Sequence, residues 1–332
     1  MQISSILDIV DGELLNSPSI SFIYSIKTNV SKVKEGDLFI VRNPEDIQMA
    51  INNGAFAIIL DINHIIIDNE IAWIKVKNIN NCIIQLIRFK LAISDLEAYY
   101  CDDISFELLK IFASSSSKNI KFISKDIDKL FKQIEDIDHN DILICSNKLL
   151  LDKIYPSNQN FNKNINLIKI ENIIEHSLFE CSFSYNDVYF QKIKISSIYI
   201  DEFINIYKFL DYEFDFTKLK LFQNFKPIFL DKNLNLLEFG KSDKFIICQD
   251  NPVLVEREIL HIREKYKYAK TLFITNVYLD FLNLNEQIIL DNLDNLKAKL
   301  KSSSFNAVYL INYNHDDVYE YLQKSEKPLS LF

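Results

Sequence analysis

The clearest pattern of apolar and polar positions lies in the last third of the chain. Three apolar runs there are typical of buried strands: DKFIICQ (243–249), KTLFIT (270–275) and NAVYLIN (306–312). Asn251-Pro252 supplies an N-cap and a first-turn proline for a helix after the first run. Apolar residues at i, i+4, i+7 and i+11 predict the next helix: Ile289, Leu293, Leu296 and Leu300. A final helix over 316–324 completes an alternation that predicts a parallel sheet covered by helices.

The first third of the chain shows the same alternation on a smaller scale. Its predicted strands are short apolar runs: GDLFIV (36–41), AFAIIL (55–60) and AWIKVK (72–77). A helix over 45–54 lies between the first two runs and ends at Asn53-Gly54, a C-cap pair. The residues that follow, 79–100, predict one linking helix into the middle of the chain.

The middle of the chain mixes both kinds of element. The pattern predicts helices over 103–113, 126–135 and 200–210. It also predicts a strand over 141–146, and residues 177–195 alternate around Asn186-Asp187 as a β-hairpin would. The chain as a whole is therefore predicted to be α/β.

Glycine content limits the chemistry that this chain can perform. An average chain of this length has about 23 glycines, whereas this one has four: Gly12, Gly36, Gly54 and Gly240. A loop that cradles phosphate needs glycine where the backbone approaches the ligand or takes a positive φ. None of the four lies before a plausible nucleotide-binding helix.

Charge and cysteine content bear on partners and location. The net charge is −9, and nucleic acids and anionic membranes attract clustered cations, so neither is expected as a partner. The most apolar stretch, residues 54–67, is broken by Asp61, Asn63 and His64, so no membrane insertion is predicted. The N-terminus lacks the basic flank of a signal peptide, and the five cysteines form no Cys-x-x-Cys pair. We therefore expect a reduced, cytoplasmic protein.

Three segments resemble the Mur ligases, and most closely the branch that adds D-alanyl-D-alanine to a UDP-muramoyl-tripeptide. Residues 28–60 (TNVSKVKEGDLFIVRNPEDIQMAINNGAFAIIL) are similar to that family's D-S-R, its K-V-x-x-G-D-L-F turn and strand, and its N-G-A-x-A before a strand. Residues 225–262 resemble the junction into the family's third domain, where D-S-Y-N-A-N-P precedes a helix; here the segment is IICQDNP. Residues 306–322 are similar to the last strand and helix, which carry K-G-S-R in the family.

The resemblance implies a three-part fold and a function in peptidoglycan precursor synthesis. Its parts are a small N-terminal α/β domain of the uridine-binding type (1–78), a reduced central α/β domain without a phosphate loop (79–225) and a Rossmann-like C-terminal domain (226–332). Mur ligases phosphorylate a substrate carboxylate with ATP and Mg²⁺, and an amino group then displaces the phosphate. That chemistry needs a glycine-rich loop, a lysine on the phosphates and a hydroxyl on the magnesium ion.

The positions that carry this chemistry in the family are occupied by other residue types here. When Glu107-Leu108-Leu109 is aligned with the end of G-x-x-G-K-T-T-x-x-E-L-L, Ala98 and Cys101 fall at the glycines, Asp102 at the lysine and Asp103 at the hydroxyl. D-S-R corresponds to Asn29-Val30-Ser31, and K-G-S-R to residues 311–314. The resemblance leaves four candidate substrate-binding residues: Thr28, Asn29, Ser31 and Asn251. It predicts no catalytic residue, no cofactor-binding residue and no metal ligand.

The acidic residues of the chain that could suggest a site are interpreted as helix caps or surface residues. Asp102 and Asp103 precede a predicted helix, where carboxylates cap the first turn and interact well with the helix dipole. We expect the same of His315-Asp316-Asp317, because consecutive side chains rarely converge on one metal ion. The pairs Asp243 with Asp250 and Glu256 with Glu258 are expected at the surface rather than in an acid–base site.

The leading hypothesis is a catalytically inactive Mur-ligase-like protein that acts by binding in peptidoglycan precursor synthesis or cell-shape control. Its partner would be a UDP-muramoyl species or a cell-wall synthesis protein, and it would need no cofactor. The alternative is a divergent ATP-dependent UDP-muramoyl-peptide ligase with a rebuilt nucleotide site, which would use ATP and Mg²⁺. A third hypothesis keeps the fold but assigns the protein a function outside the cell wall, because fold does not determine function.

Overall fold

A computed structural model of the chain describes residues 1–94, 96–161, 169–213 and 215–324. The chain divides into two compact units, one from Met1–Phe106 and Ser117–Lys163 and the other from Glu107–Ser116 and Asn164–Phe332. The described residues of each unit form two β-sheets with associated helices, which confirms the α/β class. No helix in the described ranges is long and apolar enough to cross a membrane. The domain boundaries at 78 and 225 stay predictions.

The first sheet of the N-terminal unit has the strand order β1-β5-β4-β3-β2. Its strands are β1 (Glu13–Leu14), β2 (Ile26–Lys27), β3 (Leu38–Ile40), β4 (Ala57–Leu60) and β5 (Ala72–Lys75). Strands β2 to β5 are parallel, and β1 pairs antiparallel with β5. Strands β3, β4 and β5 confirm the strands predicted over 36–41, 55–60 and 72–77. Strands β3 and β4 are buried along their whole length, as parallel strands usually are. The helices of this part are α1 (Ile3–Val10) and α2 (Ile47–Asn52), and α2 confirms the predicted helix over 45–54.

Trp73 in β5 is the single tryptophan of the chain and is completely buried. Its indole N–H donates a hydrogen bond to the backbone oxygen of Asp68, 2.8 Å away. The imidazole of His64 stacks on the indole with 5.7 Å between ring centroids. A buried indole that keeps its hydrogen bond fixes the connection between β4 and β5 against the sheet.

The second sheet of the N-terminal unit is parallel and has the order β7-β8-β6-β9. Its strands are β6 (Glu97–Tyr100), β7 (Ile120–Phe122), β8 (Ile142–Cys145) and β9 (Gln159–Asn160). The helices along this stretch are α3 (Ile79–Ile93), α4 (Asp103–Phe112), α5 (Ile127–Glu135) and α6 (Lys148–Ile154). The predicted helices over 103–113 and 126–135 and the strand over 141–146 are confirmed. The division between the two units falls within α4.

The prediction of one helix over 79–100 is wrong at its C-terminal end. Helix α3 ends at Ile93, and Glu97–Tyr100 form β6 between two parallel neighbours. Leu91, Leu96 and Ala98 are all buried, so apolar positions continue through the break and hide the change of structure. The adjacent tyrosines of β6 favour a strand, because aromatic residues are enriched in strands.

Helix α3 joins the two sheets of the N-terminal unit into one hydrophobic core. It contacts α1 as well as α5 and α6. The buried residues of this core extend from Ile3 to Ile154 and include residues of both sheets. Because the two sheets share this core, they belong to one compact unit.

The C-terminal unit contains an antiparallel sheet with the order β10-β11-β12. Its strands are β10 (Ile170–Ser177), β11 (Glu180–Tyr185) and β12 (Val188–Ile193). Asn186 has a φ of 50° and lies with Asp187 between β11 and β12, which confirms the predicted hairpin. Helix α7 (Ile200–Phe209) confirms the helix over 200–210, and its Phe203 packs edge-on against Phe183 and Phe190.

The second sheet of the C-terminal unit has the order β14-β13-β15-β18-β16-β17. Its strands are β13 (Pro227–Leu230), β14 (Leu236–Leu237), β15 (Lys244–Gln249), β16 (Thr271–Thr275), β17 (Gln287–Ile289) and β18 (Ala307–Ile311). The last four strands are parallel, which confirms the alternation seen in the sequence. The accompanying helices are α8 (Pro252–Lys265), α9 (Leu296–Lys301) and α10 (His315–Lys324).

The predicted helix from Ile289 to Leu300 is wrong in its first half. Ile289 lies in β17, which pairs with β16, and α9 begins only at Leu296. Between them the side chain of Asn292 accepts a hydrogen bond from the backbone N–H of Asp294 and starts a 3₁₀ turn. The helical spacing of Ile289 and Leu293 is therefore a coincidence of a strand end and a turn.

Gly54 tests how strongly the N-terminal sheet depends on its few glycines. Gly54 has a φ of 90°, and a Cβ added there would lie 2.8 Å from the backbone Cα of Glu35. We expect Gly54→Ala to lower the free energy of unfolding by about 2–4 kcal/mol, because it combines left-handed strain with a clash against backbone. Urea unfolding followed by circular dichroism measures this change.

The matched control is Gly240→Ala. Gly240 also has a positive φ, 73°, but apart from its chain neighbours no atom of the described residues lies within 4 Å of its added Cβ. This variant should lose only about 1 kcal/mol, from backbone strain alone. Equal losses in the two variants would contradict the clash at Gly54.

Candidate functional site

The connection between β6 and α4 lies at the place where the resemblance puts a phosphate loop. Ala98 lies within β6, and Asp103 is the first residue of α4. Cys101 and Asp102 alone connect the strand to the helix. Ala98 and Cys101 are both buried. The connection therefore keeps the order strand, turn and helix but has two residues where a phosphate loop needs several.

The carboxylate of Asp102 caps α4. Its Oδ1 accepts a hydrogen bond from the backbone N–H of Ser105 at 2.8 Å, and its Oδ2 accepts one from the Ser105 hydroxyl at 2.7 Å. The Asp102 carbonyl accepts the N–H of Phe106 at 2.9 Å, which starts the helix ladder. The predicted capping role is confirmed for Asp102. Asp103 instead lies in the first turn, with its Oδ1 3.6 Å from the Lys125 ammonium.

Burial and negative charge together make this connection unfavourable for an anion or a thiolate. Burial raises the pKa of the Cys101 thiol, and the neighbouring Asp102 carboxylate raises it further. Burial likewise raises the pKa of Tyr100, with Asp102 and Asp103 adding to the effect. The thiol and the phenol therefore stay protonated at neutral pH, and Cys101 is no nucleophile there.

The candidate residues Thr28, Asn29 and Ser31 lie at the end of β2. Asn29 Oδ1 accepts hydrogen bonds from the Ser31 backbone N–H at 3.0 Å and from the Ser31 hydroxyl at 2.8 Å. This arrangement caps a 3₁₀ turn over Val30–Lys32. Thr28 and Asn29 also line a small cavity of about 40 Å³.

Three lysines border this small cavity. Lys27 and Lys32 come from the same segment as Thr28, and Lys132 comes from α5. Glu135 of α5 supplies a counter-charge, with its Oε1 3.5 Å from Lys27 Nζ. Sequence reasoning missed Lys132, because nothing local links α5 to the end of β2.

Asn251 lies at the carboxyl edge of the parallel strands β15, β18 and β16. Its Oδ1 accepts the backbone N–H of Val253 at 3.1 Å, so the predicted N-cap is confirmed. At the same edge, Asn314 Nδ2 donates to Asp250 Oδ2 at 3.2 Å, and Asn312 Nδ2 donates to Asn276 Oδ1 at 2.9 Å. The structure therefore brings together Asn251 and residues 311–314, two stretches that the resemblance placed in different motifs. Open α/β sheets bind ligands at this edge.

The segment His315-Asp316-Asp317 is the first turn of α10 rather than its cap. Asn314 provides the cap, because its Oδ1 accepts the backbone N–H of Asp316 at 2.9 Å. The prediction that His315, Asp316 and Asp317 cap the helix is therefore wrong by one residue, because the cap is Asn314. No cluster of three or more His, Cys, Asp or Glu side chains suited to a metal ion occurs in the described part of the chain.

Glu258 is the polar residue that sequence reasoning placed wrongly. It was expected at the surface, but it is completely buried on the inner face of α8. Leu254, Glu258 and Ile262 follow one another at i, i+4 and i+8, so helical periodicity could have revealed its burial. Residue type alone argued for the surface, because glutamate is rarely buried without partners.

The carboxylate of Glu258 accepts hydrogen bonds from three buried side chains. The Tyr199 hydroxyl and Gln249 Nε2 donate to Oε1, the latter at 2.7 Å, and the Tyr309 hydroxyl donates to Oε2 at 2.5 Å. Gln249 Oε1 in turn accepts the backbone N–H of Asn251 at 2.9 Å, which links the cluster to the start of α8. The cluster ties α8 to β15, to β18 and to the segment before α7.

Burial dominates the electrostatics of this cluster. It raises the pKa of Glu258, although the three donors and the nearby Arg257 act in the opposite direction. Burial also raises the pKa of Tyr199 and of Tyr309, and the Glu258 carboxylate adds to both increases. The phenols therefore remain donors at any physiological pH.

The fold resembles that of solved Mur ligases. MurF ligase from Thermotoga maritima, solved in complex with ADP, has a TM-score of 0.57 at 12% identity, over 90% of this chain and 97% of the other. MurF from Acinetobacter baumannii has a TM-score of 0.56 at 10% identity, over 98% of each chain. No family model and no curated protein matches the chain by sequence. The chain therefore has the α/β architecture of Mur ligases over nearly its whole length.

The raised pKa of Glu258 predicts a specific dependence of stability on pH. A folded-state pKa above the unfolded value of 4.5 means that folding favours the protonated acid. Its contribution to stability is full below pH 4.5 and is lost as the pH rises through the folded pKa. The neutral isostere Glu258→Gln lacks this loss, so its free energy of unfolding relative to the parent should increase between pH 4.5 and 8. Urea unfolding across this range measures the difference.

Two further variants make this test specific. Glu256→Gln, on the exposed side of the same helix, is expected to leave the pH profile as it is. Glu258→Ala should cost about 3–5 kcal/mol at pH 4.5, because it leaves buried donors unpaired, and less at higher pH, where the parent has lost the pH-dependent contribution of Glu258. A pH profile for Glu258→Gln parallel to that of the parent would contradict the raised pKa.

Proposed function

We propose that the protein acts by binding, without phosphoryl transfer, in peptidoglycan precursor synthesis or cell-shape control. The Mur-ligase fold over nearly the whole chain supports the link to this process. The cap at α4 supports the absence of phosphoryl transfer and is the observation on which the proposal depends. The family's own chemistry enters only as an analogy, because fold does not determine function.

The α4 cap argues against nucleotide binding for two physical reasons. A phosphate loop presents backbone N–H groups to the phosphates at the start of its helix. In this chain the Ser105 N–H and hydroxyl donate to the Asp102 carboxylate instead. In addition, the alignment places the carboxylates of Asp102 and Asp103 at the positions that contact the triphosphate and its magnesium ion in the family, and like charges repel each other.

We infer that a UDP-muramoyl ligand binds on the surface at the end of β2, beside the small cavity described above. Lys27, Lys32 and Lys132 border the cavity that Thr28 and Asn29 line. Ammonium groups bind diphosphate oxygens through charge-assisted hydrogen bonds. We infer that the diphosphate lies on this rim, with Asn29 and Ser31 beside the nucleoside.

The first test of the proposal is thermal unfolding of the purified protein in the presence of Mg-ATP. A ligand that binds only the folded state raises its stability by about 2.7 kcal/mol at a hundredfold excess over Kd. We expect no change in Tm up to millimolar Mg-ATP. A saturable increase would instead favour the competing hypothesis of a divergent ligase with a rebuilt ATP site, and amide formation dependent on Mg²⁺ and ATP would establish it.

The second test concerns the anion site at the end of β2. Calorimetric titration should detect binding of UDP that weakens with added salt, and much weaker binding of uridine, because the lysines contact phosphate. Lys132→Ala should weaken UDP binding about tenfold, the loss of one hydrogen bond to a charged group. Lys129→Ala, on the same helix but away from the cavity, is the control. Equal effects of the two substitutions would contradict this location.

A further inference from the structure

A separate cavity of about 540 Å³ lies in the C-terminal unit, far larger than the one at the end of β2. It is formed by the turn between β10 and β11, the connection from β14 to β15 and the last turn of α8. Its volume falls within the range of small-molecule sites, which are mostly apolar with a few polar groups. Neither the sequence nor the resemblance points to it.

Aromatic rings form the apolar wall of this cavity. Phe179 is buried at its base and meets Phe245 edge-on with 5.0 Å between centroids. Phe229 packs edge-on against Phe239 at 5.3 Å, and Phe245 lies 5.6 Å from Tyr266. Of the four phenylalanines, Phe239 is the most open, with 43% of its surface exposed. The rings hold one another in place, so the wall is formed before a ligand arrives.

The open ring of Phe239 already attracts a cation. Lys194 Nζ lies 4.9 Å from the centroid of Phe239, within the range of a cation–π interaction. Phe239 also lines a second, smaller cavity of about 310 Å³ that includes Lys194. The same ring therefore borders both cavities, and its π-system is accessible to positive charge.

The charges around the larger cavity favour a cation as well. Among the described residues that line it, Glu175, Glu180 and Asp243 carry carboxylates and Lys265 carries an ammonium. Lys265 Nζ pairs with Glu175 Oε2 at 3.1 Å. His261 also lines the cavity, and burial lowers its pKa, so it adds no charge at neutral pH. Glu180 and Asp243 therefore leave the cavity with an excess of negative charge.

We propose that this cavity binds a small organic cation, an ammonium group attached to an aromatic body. The aromatic body packs among Phe179, Phe239 and Phe245, and the ammonium lies toward Asp243 at the rim. This ligand class is opposite in charge to the UDP species proposed for the end of β2. The inference is independent of the proposed function, because it uses other residues in the other unit.

Two probes of nearly equal shape and opposite charge test the proposal: 2-phenylethylammonium and 3-phenylpropanoate. Saturation-transfer NMR on the full chain should show the ammonium binding with a Kd of about 1 mM or tighter. The carboxylate should bind at least about tenfold more weakly, because the rim carboxylates repel it. The proposal would be overturned if the carboxylate bound as tightly as the ammonium or more tightly. It would also be overturned if binding of the ammonium did not saturate at about 10 mM, tenfold above the expected Kd.

Matched substitutions locate the site. Phe239→Ala should weaken binding of 2-phenylethylammonium about fivefold, because the aromatic body of the ligand loses its contact with this ring. Asp243→Asn should weaken binding of 2-phenylethylammonium and strengthen binding of 3-phenylpropanoate. Phe281→Ala and Asp280→Asn are the controls, since both residues are exposed and lie outside the cavity. If Phe239→Ala fails to fold, Asp243→Asn alone tests the site, because Asp243 is exposed and its substitution should leave the fold intact. A loss of binding in the control variants equal to that in the site variants would contradict the assignment.

Discussion

The scarcity of glycine is the constraint on which the connections of this protein depend. With four glycines in the chain, most turns that need a positive φ must be made by other residues. Asp11, Asn186 and Asn312 are examples, with φ between 49° and 65°. Asn and Asp tolerate this region best among the other residue types, because their short polar side chains bond to the local backbone. The chain therefore makes these turns with asparagine and aspartate in place of glycine.

The same replacement shapes the places where α/β proteins bind ligands. At the start of α4 a carboxylate takes the N–H group that a glycine-rich loop would leave for phosphate. At the carboxyl edge of the C-terminal sheet, the Asn312 amide donates to Asn276 and the Asn314 amide donates to the Asp250 carboxylate. The α/β architecture shared with solved Mur ligases is present in a chain with four glycines, because strands and helices need little glycine, whereas a phosphate loop depends on it.

Sequence reasoning succeeded where the determining interaction is local. The cap at Asp102 joins residues three apart, and the hairpin at Asn186-Asp187 is a turn between alternating strands, so both were predictable. It failed where a distant partner decides the structure. Glu97–Tyr100 form a strand because neighbouring strands lie on both sides, and Glu258 is buried because Tyr199 and Tyr309 donate to it from far along the chain. Apolar periodicity and residue type carry no information about such partners.

Trp73 gives the two units different optical signals. Because it is the only tryptophan and lies in β5, its fluorescence responds to unfolding of the N-terminal unit alone. Twelve of the sixteen tyrosines lie in the other unit, among them Tyr199 and Tyr309 buried against Glu258, so the near-ultraviolet absorbance of tyrosine is weighted toward that unit. Unfolding followed both by tryptophan fluorescence and by tyrosine absorbance thus distinguishes one cooperative transition from two, because two-state unfolding gives coincident transitions with different probes. Trp73 is thereby an intrinsic, label-free reporter for the N-terminal unit.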